Sequence, residues 1–87
     1  MKQADGLHVK LGGAMVQYAP SDQPGSRHII ELNHEISVQD LLDKLKVPDE
    51  QPLMVILNDA MVARPDYATT MLSNADALAL MPPIQAG

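Results

Sequence analysis

The sequence has no cysteine. Disulfides, thiol catalysis and thiolate metal sites are therefore excluded, and the core alone must hold the fold. There is no tryptophan or phenylalanine either, and Tyr18 and Tyr67 are the only aromatic residues. Core volume must come from Leu, Ile, Val and the 6 Met. Positive charge is scarce: 6 Lys and Arg stand against 11 Asp and Glu, for a net charge of −5. Nucleic-acid binding, which depends on Lys and Arg neutralising phosphates, is disfavoured. An anionic membrane surface is disfavoured for the same reason. A basic protein partner would suit this charge. No apolar run approaches the roughly 18 residues of a membrane span. The opening Met1-Lys2-Gln3-Ala4-Asp5-Gly6 lacks the apolar stretch of a signal peptide. The expectation is a cytoplasmic protein.

What is present reads as globular. Apolar residues make up 46% and charged residues 20%, outside the composition of a disordered chain. At 87 residues the length allows one domain, spanning 1–87. A core of this size leaves no room for a deep interdomain cleft.

Leu7-His8-Val9-Lys10-Leu11 alternates apolar and polar residues, as a half-buried strand does. Gly12-Gly13 breaks the pattern as a bulge or bend, and residues 14–19 read as a helical turn or a continued strand, with a short helix the preferred expectation. Residues 20–26 are rich in turn formers and read as a loop. His28-Ile29-Ile30-Glu31-Leu32 reads as a second strand. A helix is predicted over about 37–46. Ser37 is its N-cap, with Asp40 three residues on and Ile36 and Leu41 spaced as a hydrophobic staple. Val38, Leu41, Leu42 and Leu45 form its apolar stripe, and Pro48 ends it. Leu53 to Leu57 is a continuous apolar run, read as an interior strand. Asn58-Asp59 suits a tight turn, Met61-Val62 a short return strand, and Asn74-Ala75-Asp76 a second turn. Ala77 to Met81 is the last strand, stopped by Pro82-Pro83. One helix crossing a mixed sheet of four or five strands gives an α+β roll of the ubiquitin kind.

Catalytic residues do not emerge. His8, His28 and His34 lack metal-site spacing and are read as solvated surface residues. Asp40 and Asp43 fall on the outer side of the helix. Gly12-Gly13 is not continued into a phosphate loop. No metal site is expected. The end of the sequence differs from a polar, frayed terminus. Pro82 and Pro83 favour an extended, projecting arm. Ile84, Gln85, Ala86 and Gly87 follow, small or uncharged, able to thread a narrow channel and present an unhindered carboxylate.

The order of elements, together with Pro82-Pro83-Ile84-Gln85-Ala86-Gly87, resembles the MoaD/ThiS family of ubiquitin-like sulfur carriers. Ser37 to Leu42, Val55 to Asn58 and Leu72 to Asp76 are similar at the level of pattern, and the resemblance covers nearly the whole chain from Leu7. It departs at Ala86, Ala75 and Asp59, where the family carries glycine, and at Gly12, where a Phe is common. The resemblance implies a β-grasp fold and a carrier that is not itself an enzyme. It implies that a ubiquitin-activating-type adenylyltransferase uses ATP to adenylate the carboxylate of Gly87, which then becomes a thiocarboxylate. No cofactor is held by the carrier. Sulfur passes to a synthase in a molybdopterin- or thiamine-type pathway. The rival readings are a ubiquitin-like interaction module without carboxylate chemistry and a small subunit of a cofactor synthase.

Strand alternation adds a candidate partner surface. If Leu53, Val55, Leu57, Leu78 and Leu80 face the helix, then Met54, Ile56, Ala77, Ala79 and Met81 share the opposite face. That apolar patch would flank the root of the tail and serve as a binding site. Cover by the loop after Gly13, or by a homodimer, is the alternative.

Overall fold

A computed structural model of the chain describes residues 6–19 and 25–83. Strands are β1 (Leu7–Leu11), β2 (Arg27–Ile30), β3 (Ile36–Ser37), β4 (Met54–Leu57), β5 (Ala60–Val62), β6 (Met71–Leu72) and β7 (Ala77–Met81). The one α-helix among the described residues, α1, covers Val38–Lys44. Five strands form a mixed sheet in the order β2-β1-β7-β4-β5, in which β1 and β7 run parallel and the other neighbours antiparallel. The first and last strands thus lie side by side at the centre. This is a β-grasp roll.

One face of the sheet is the core. Leu7, Val9, Leu11, Val55, Leu78 and Leu80 are buried there against Val38, Leu41 and Leu42 of α1. Leu53 and Leu57 pack at its margin. Each strand alternates because its pleat sends successive side chains to opposite faces.

The N-terminus of α1 is closed by a capping box. Asp40 N–H donates to Ser37 Oγ at 3.0 Å, and Ser37 N–H donates to Asp40 Oδ2 at 3.3 Å. Two more free donors of the first turn reach loop carbonyls, Val38 N–H to Thr70 and Gln39 N–H to Tyr67. The C-terminus comes earlier than Pro48 suggested. Lys46 N–H donates to the Asp43 carbonyl and Val47 N–H to the Leu42 carbonyl, the bonding of a Schellman motif. Lys46 takes the left-handed position at φ 62°, where glycine is usual.

Other expectations shift in detail. Residues Gly13–Tyr18 form a 3₁₀ helix that buries Met15. The second strand is shorter than predicted, and Leu32 lies beyond it, its backbone bonded through both N–H and C=O to the Asn74 side chain. Asn58 and Asp59 both have positive φ, 48° and 72°, and close β4 onto β5 as a two-residue hairpin. His28 corrects the surface reading of the histidines. Its side chain is 3% exposed on the core side of β2. Nε2 donates to the Gly25 carbonyl at 2.7 Å, while buried Nδ1 has no partner among the described residues. His8 and His34 are exposed. No helix among the described residues is long and apolar enough to cross a membrane.

Candidate functional site

The face of the sheet away from α1 is open. Register sets its composition. On β7, Met81 lies opposite Met54, and Ala79 lies opposite Ile56. Ala77, Ala79 and Met81 alternate with the buried Leu78 and Leu80. Met54, Ile56, Ala77, Ala79 and Met81 therefore share one face, the first two through β4 and the others through β7. Met54, Ile56, Ala79 and Met81 are half-buried and Ala77 is exposed. Met61 of β5 extends the patch, because it pairs with Ile56 and is 68% exposed. Sequence reasoning did not include it, although counting outward from the Asn58-Asp59 turn places it there.

The root of the tail is set against the end of β1. Gly12 N–H donates to the Leu80 carbonyl at 2.9 Å, continuing the parallel ladder one step past Leu11. Met81 and Pro82 then occupy the space that side chains on Gly12 and Gly13 would need. Pro82 is exposed and Pro83 half-buried. Ile84, Gln85, Ala86 and Gly87 lie outside the described residues.

Charge on this face runs against the charge of the whole chain. None of the five strands of the sheet contains an acidic residue. His8 and Lys10 project from β1 and Arg27 from β2, all exposed. With Asp59 and the small side chains of Ala77 and Ala79 they bound a groove of about 540 Å³. The groove exists because alanine on the central strand sits between longer side chains on β1 and β4. Sixteen residues of sequence lie between Lys10 and Arg27, and only the β1–β2 register brings them together.

At the start of β7, Asp76 accepts from Ser73 N–H at 2.9 Å and from Asn58 Nδ2 at 3.1 Å. Asn58 in turn accepts from Ala77 N–H at 2.9 Å. The Ser73 backbone N–H, with lesser help from the Asn58 and Ser73 side chains, outweighs desolvation and holds the Asp76 carboxyl below its ordinary value. This carboxylate fixes two turns together; it does not face the patch. Among the described residues, no group of three or more His, Asp or Glu is placed to hold a metal ion.

Comparisons with known proteins agree with this architecture. A sequence model of the ThiS family matches residues 17–87. No curated protein matches the sequence significantly. The crystal structure of the thiamine biosynthesis protein ThiS from Geobacter metallireducens is similar, with a TM-score of 0.61 at 19% identity, covering 92% of this chain and 99% of that one. A solution structure of a thiamine biosynthesis protein from the same organism gives a TM-score of 0.57 at 21% identity, covering 94% and 87%. A protein–protein complex of subunits 1 and 2 of molybdopterin-converting factor from Helicobacter pylori gives a TM-score of 0.59 at 19% identity, covering 93% and 97%.

Proposed function

From the premise that the chain belongs to the ThiS family, we infer that it is a sulfur carrier in the biosynthesis of a thiamine- or molybdopterin-type cofactor. ThiS proteins are small sulfur carriers, and on this reading the chain is acted on by a partner enzyme. The observation that carries the reading to this chain is the exit of β7. The central strand of the sheet ends at Pro82-Pro83, beside an apolar face made by Met54, Ile56, Ala79 and Met81. A partner can seat on that face and hold the arm that leaves it.

On this reading the reactive group is the carboxylate of Gly87. A ubiquitin-activating-type adenylyltransferase joins it to the α-phosphate of ATP and releases pyrophosphate. A sulfur nucleophile then displaces AMP, leaving a thiocarboxylate. ATP belongs to the partner, and the carrier contributes position. The tail must be narrow so that it can enter a confined site, which Gln85, Ala86 and Gly87 allow. Ala86 stands where the family has glycine. A partner's channel that draws the tail out straight would tolerate it, because a Cβ penalises only the positive-φ regions. The second partner is a sulfur-accepting synthase, a role consistent with a similar fold that is solved as a complex of two subunits.

The test is chemical. The chain is incubated with ATP, a sulfide donor and the adenylyltransferase of the same organism, and its intact mass is recorded. Exchange of one carboxylate oxygen for sulfur is the expected result. An unchanged mass with an enzyme active on another carrier would overturn the reading.

A further inference from the structure

We propose that the groove over Ala77 and Ala79, rimmed by Lys10, Arg27 and His8, receives an acidic segment of the adenylyltransferase. The proposal rests on the carrier reading and specifies the chemistry of its partner. Three observations point to it.

The first is a local inversion of charge. The chain carries −5 overall, yet its five-stranded sheet has no Asp or Glu. Solubility alone would place acidic residues on an exposed sheet face as readily as elsewhere. The second is the pairing of Lys10 with Arg27. They lie directly opposite each other in the antiparallel β1–β2 ladder. Like charges at such positions destabilise a sheet. Among the described residues neither is bonded to a carboxylate that would offset this cost. Arg27 lies on the edge strand, where a single cation is enough to discourage edge-to-edge pairing; the second cation opposite it adds repulsion, whereas an anionic segment lying across both would be held by two cations at once. The third is the make-up of the groove. Its floor is apolar and its rim charged, the ordinary anatomy of a protein interface. Asp59 lies toward β4 and β5, so an acidic segment is drawn to the β1–β2 side and repelled from the other, which fixes its direction.

The groove also lies within reach of the tail. Ala79 is three residues before Pro82, about 10 Å at the rise of a strand. One partner can therefore occupy the groove and hold the arm. A polyanion such as nucleic acid fits poorly, since two cations are too few to offset repulsion from an acidic chain. An open trough of about 540 Å³ is also too large to enclose a lone phosphate.

The experiment measures binding of the full chain to the adenylyltransferase of the same organism by calorimetry, at low and at high salt. The probes are wild type, Lys10→Glu, the double variant Lys10→Glu/Arg27→Glu, and Ile56→Asp. Wild-type affinity should fall as salt rises. The double variant should bind about 100-fold more weakly at low salt, with most of the salt dependence gone. Lys10→Glu alone replaces a repulsive cross-strand pair by an attractive one, so its melting temperature should equal or exceed that of wild type while its binding weakens. If the double variant binds as wild type does, with the same salt dependence, the proposal is overturned. A concurrent loss of binding by Ile56→Asp would then leave the carrier reading standing. Absence of wild-type binding would remove both. Inorganic phosphate competing far more strongly than chloride at equal ionic strength would make the groove a small-anion site, and would also overturn the proposal.

Discussion

Met81 occupies the space beside Gly12 that any larger residue there would claim. A Cβ on Gly12 would lie 2.5 Å from Met81 Sδ and 2.7 Å from its Cε. The neighbouring glycine relates to Pro82 in the same way: Gly13 has φ +53°, and a Cβ there would lie 2.9 Å from Pro82 Cγ. The two glycines that break the first strand are thus the seat on which the last strand leaves the sheet.

Substitution separates the two positions. Gly12→Ala presses only on the flexible end of Met81, which can change rotamer, so stability should fall by no more than about 1 kcal/mol. Gly13→Ala forces a left-handed alanine against a proline ring and should cost about 1–2 kcal/mol. Urea denaturation of the two variants checks the order. Equal losses would mean that Pro82 does not rest on Gly13.

Ala75 carries φ 79°, a conformation that an L-residue with a Cβ adopts only under strain. Its N–H donates to the Gly6 carbonyl at 2.8 Å, so the turn cannot relax without losing that bond. Ala75→Gly should raise stability by about 0.5–1 kcal/mol, the strain relieved less the added chain entropy of glycine. In a domain of this size that corresponds to a rise in melting temperature of several degrees, about 4–8 °C per kcal/mol. A lower melting temperature would show that the alanine methyl contributes contacts exceeding the strain.

Acid stability should depend on Asp76. Its carboxyl is held below the ordinary value of 3.8 by the Ser73 N–H first, against desolvation, with the Asn58 and Ser73 side chains adding to it. A depressed folded pKa means stability that is fully present above the unfolded value and lost as pH falls through the folded one. Asp76→Asn should destabilise the protein at pH 7 and should flatten the loss of stability below about pH 4. Denaturation midpoints across that range provide the check; an unchanged acid limb would assign the titration to other carboxylates.

Much of this fold can be read from the residues, and the exceptions have physical causes. Leu7 to Leu11 alternates cleanly and is β1; Ser37 and Asp40 make the capping box that their spacing implies. The β3–β6 pair escaped notice because two-residue strands have no period to read. The early end of α1 was hidden because Lys46 fills a position that glycine normally marks. Buried His28 was missed because Arg27-His28-Ile29-Ile30 does not alternate by hydropathy: the histidine points inward and Ile29 is 44% exposed. At the candidate site, the apolar face follows from alternation in β4 and β7. The basic rim does not, because only strand register unites Lys10 with Arg27.

Ile56 is half-buried at the centre of the open face, between Ala79 and Met61. Ile56→Asp should leave the fold cooperative and weaken binding to the adenylyltransferase by about tenfold or more, as expected for a charge placed in the apolar part of an interface. Circular dichroism with a binding titration distinguishes the outcomes. Global unfolding would assign the face to the core.

The most direct test of the carrier account is ATP–pyrophosphate exchange catalysed by the adenylyltransferase of the same organism, with wild type, a Gly87 deletion and Ala86→Gly as substrates. Deleting Gly87 withdraws the carboxylate by about 3.3–3.6 Å, the reach of one extended residue. Productive geometry is lost with displacements of about 1 Å, so exchange should fall by about two orders of magnitude or more. Ala86→Gly should exchange at least as fast as wild type, because glycine can follow any path through the partner's channel that alanine can. If the deletion exchanges as fast as wild type, the carboxylate of Gly87 is not the group activated, and the carrier account is contradicted.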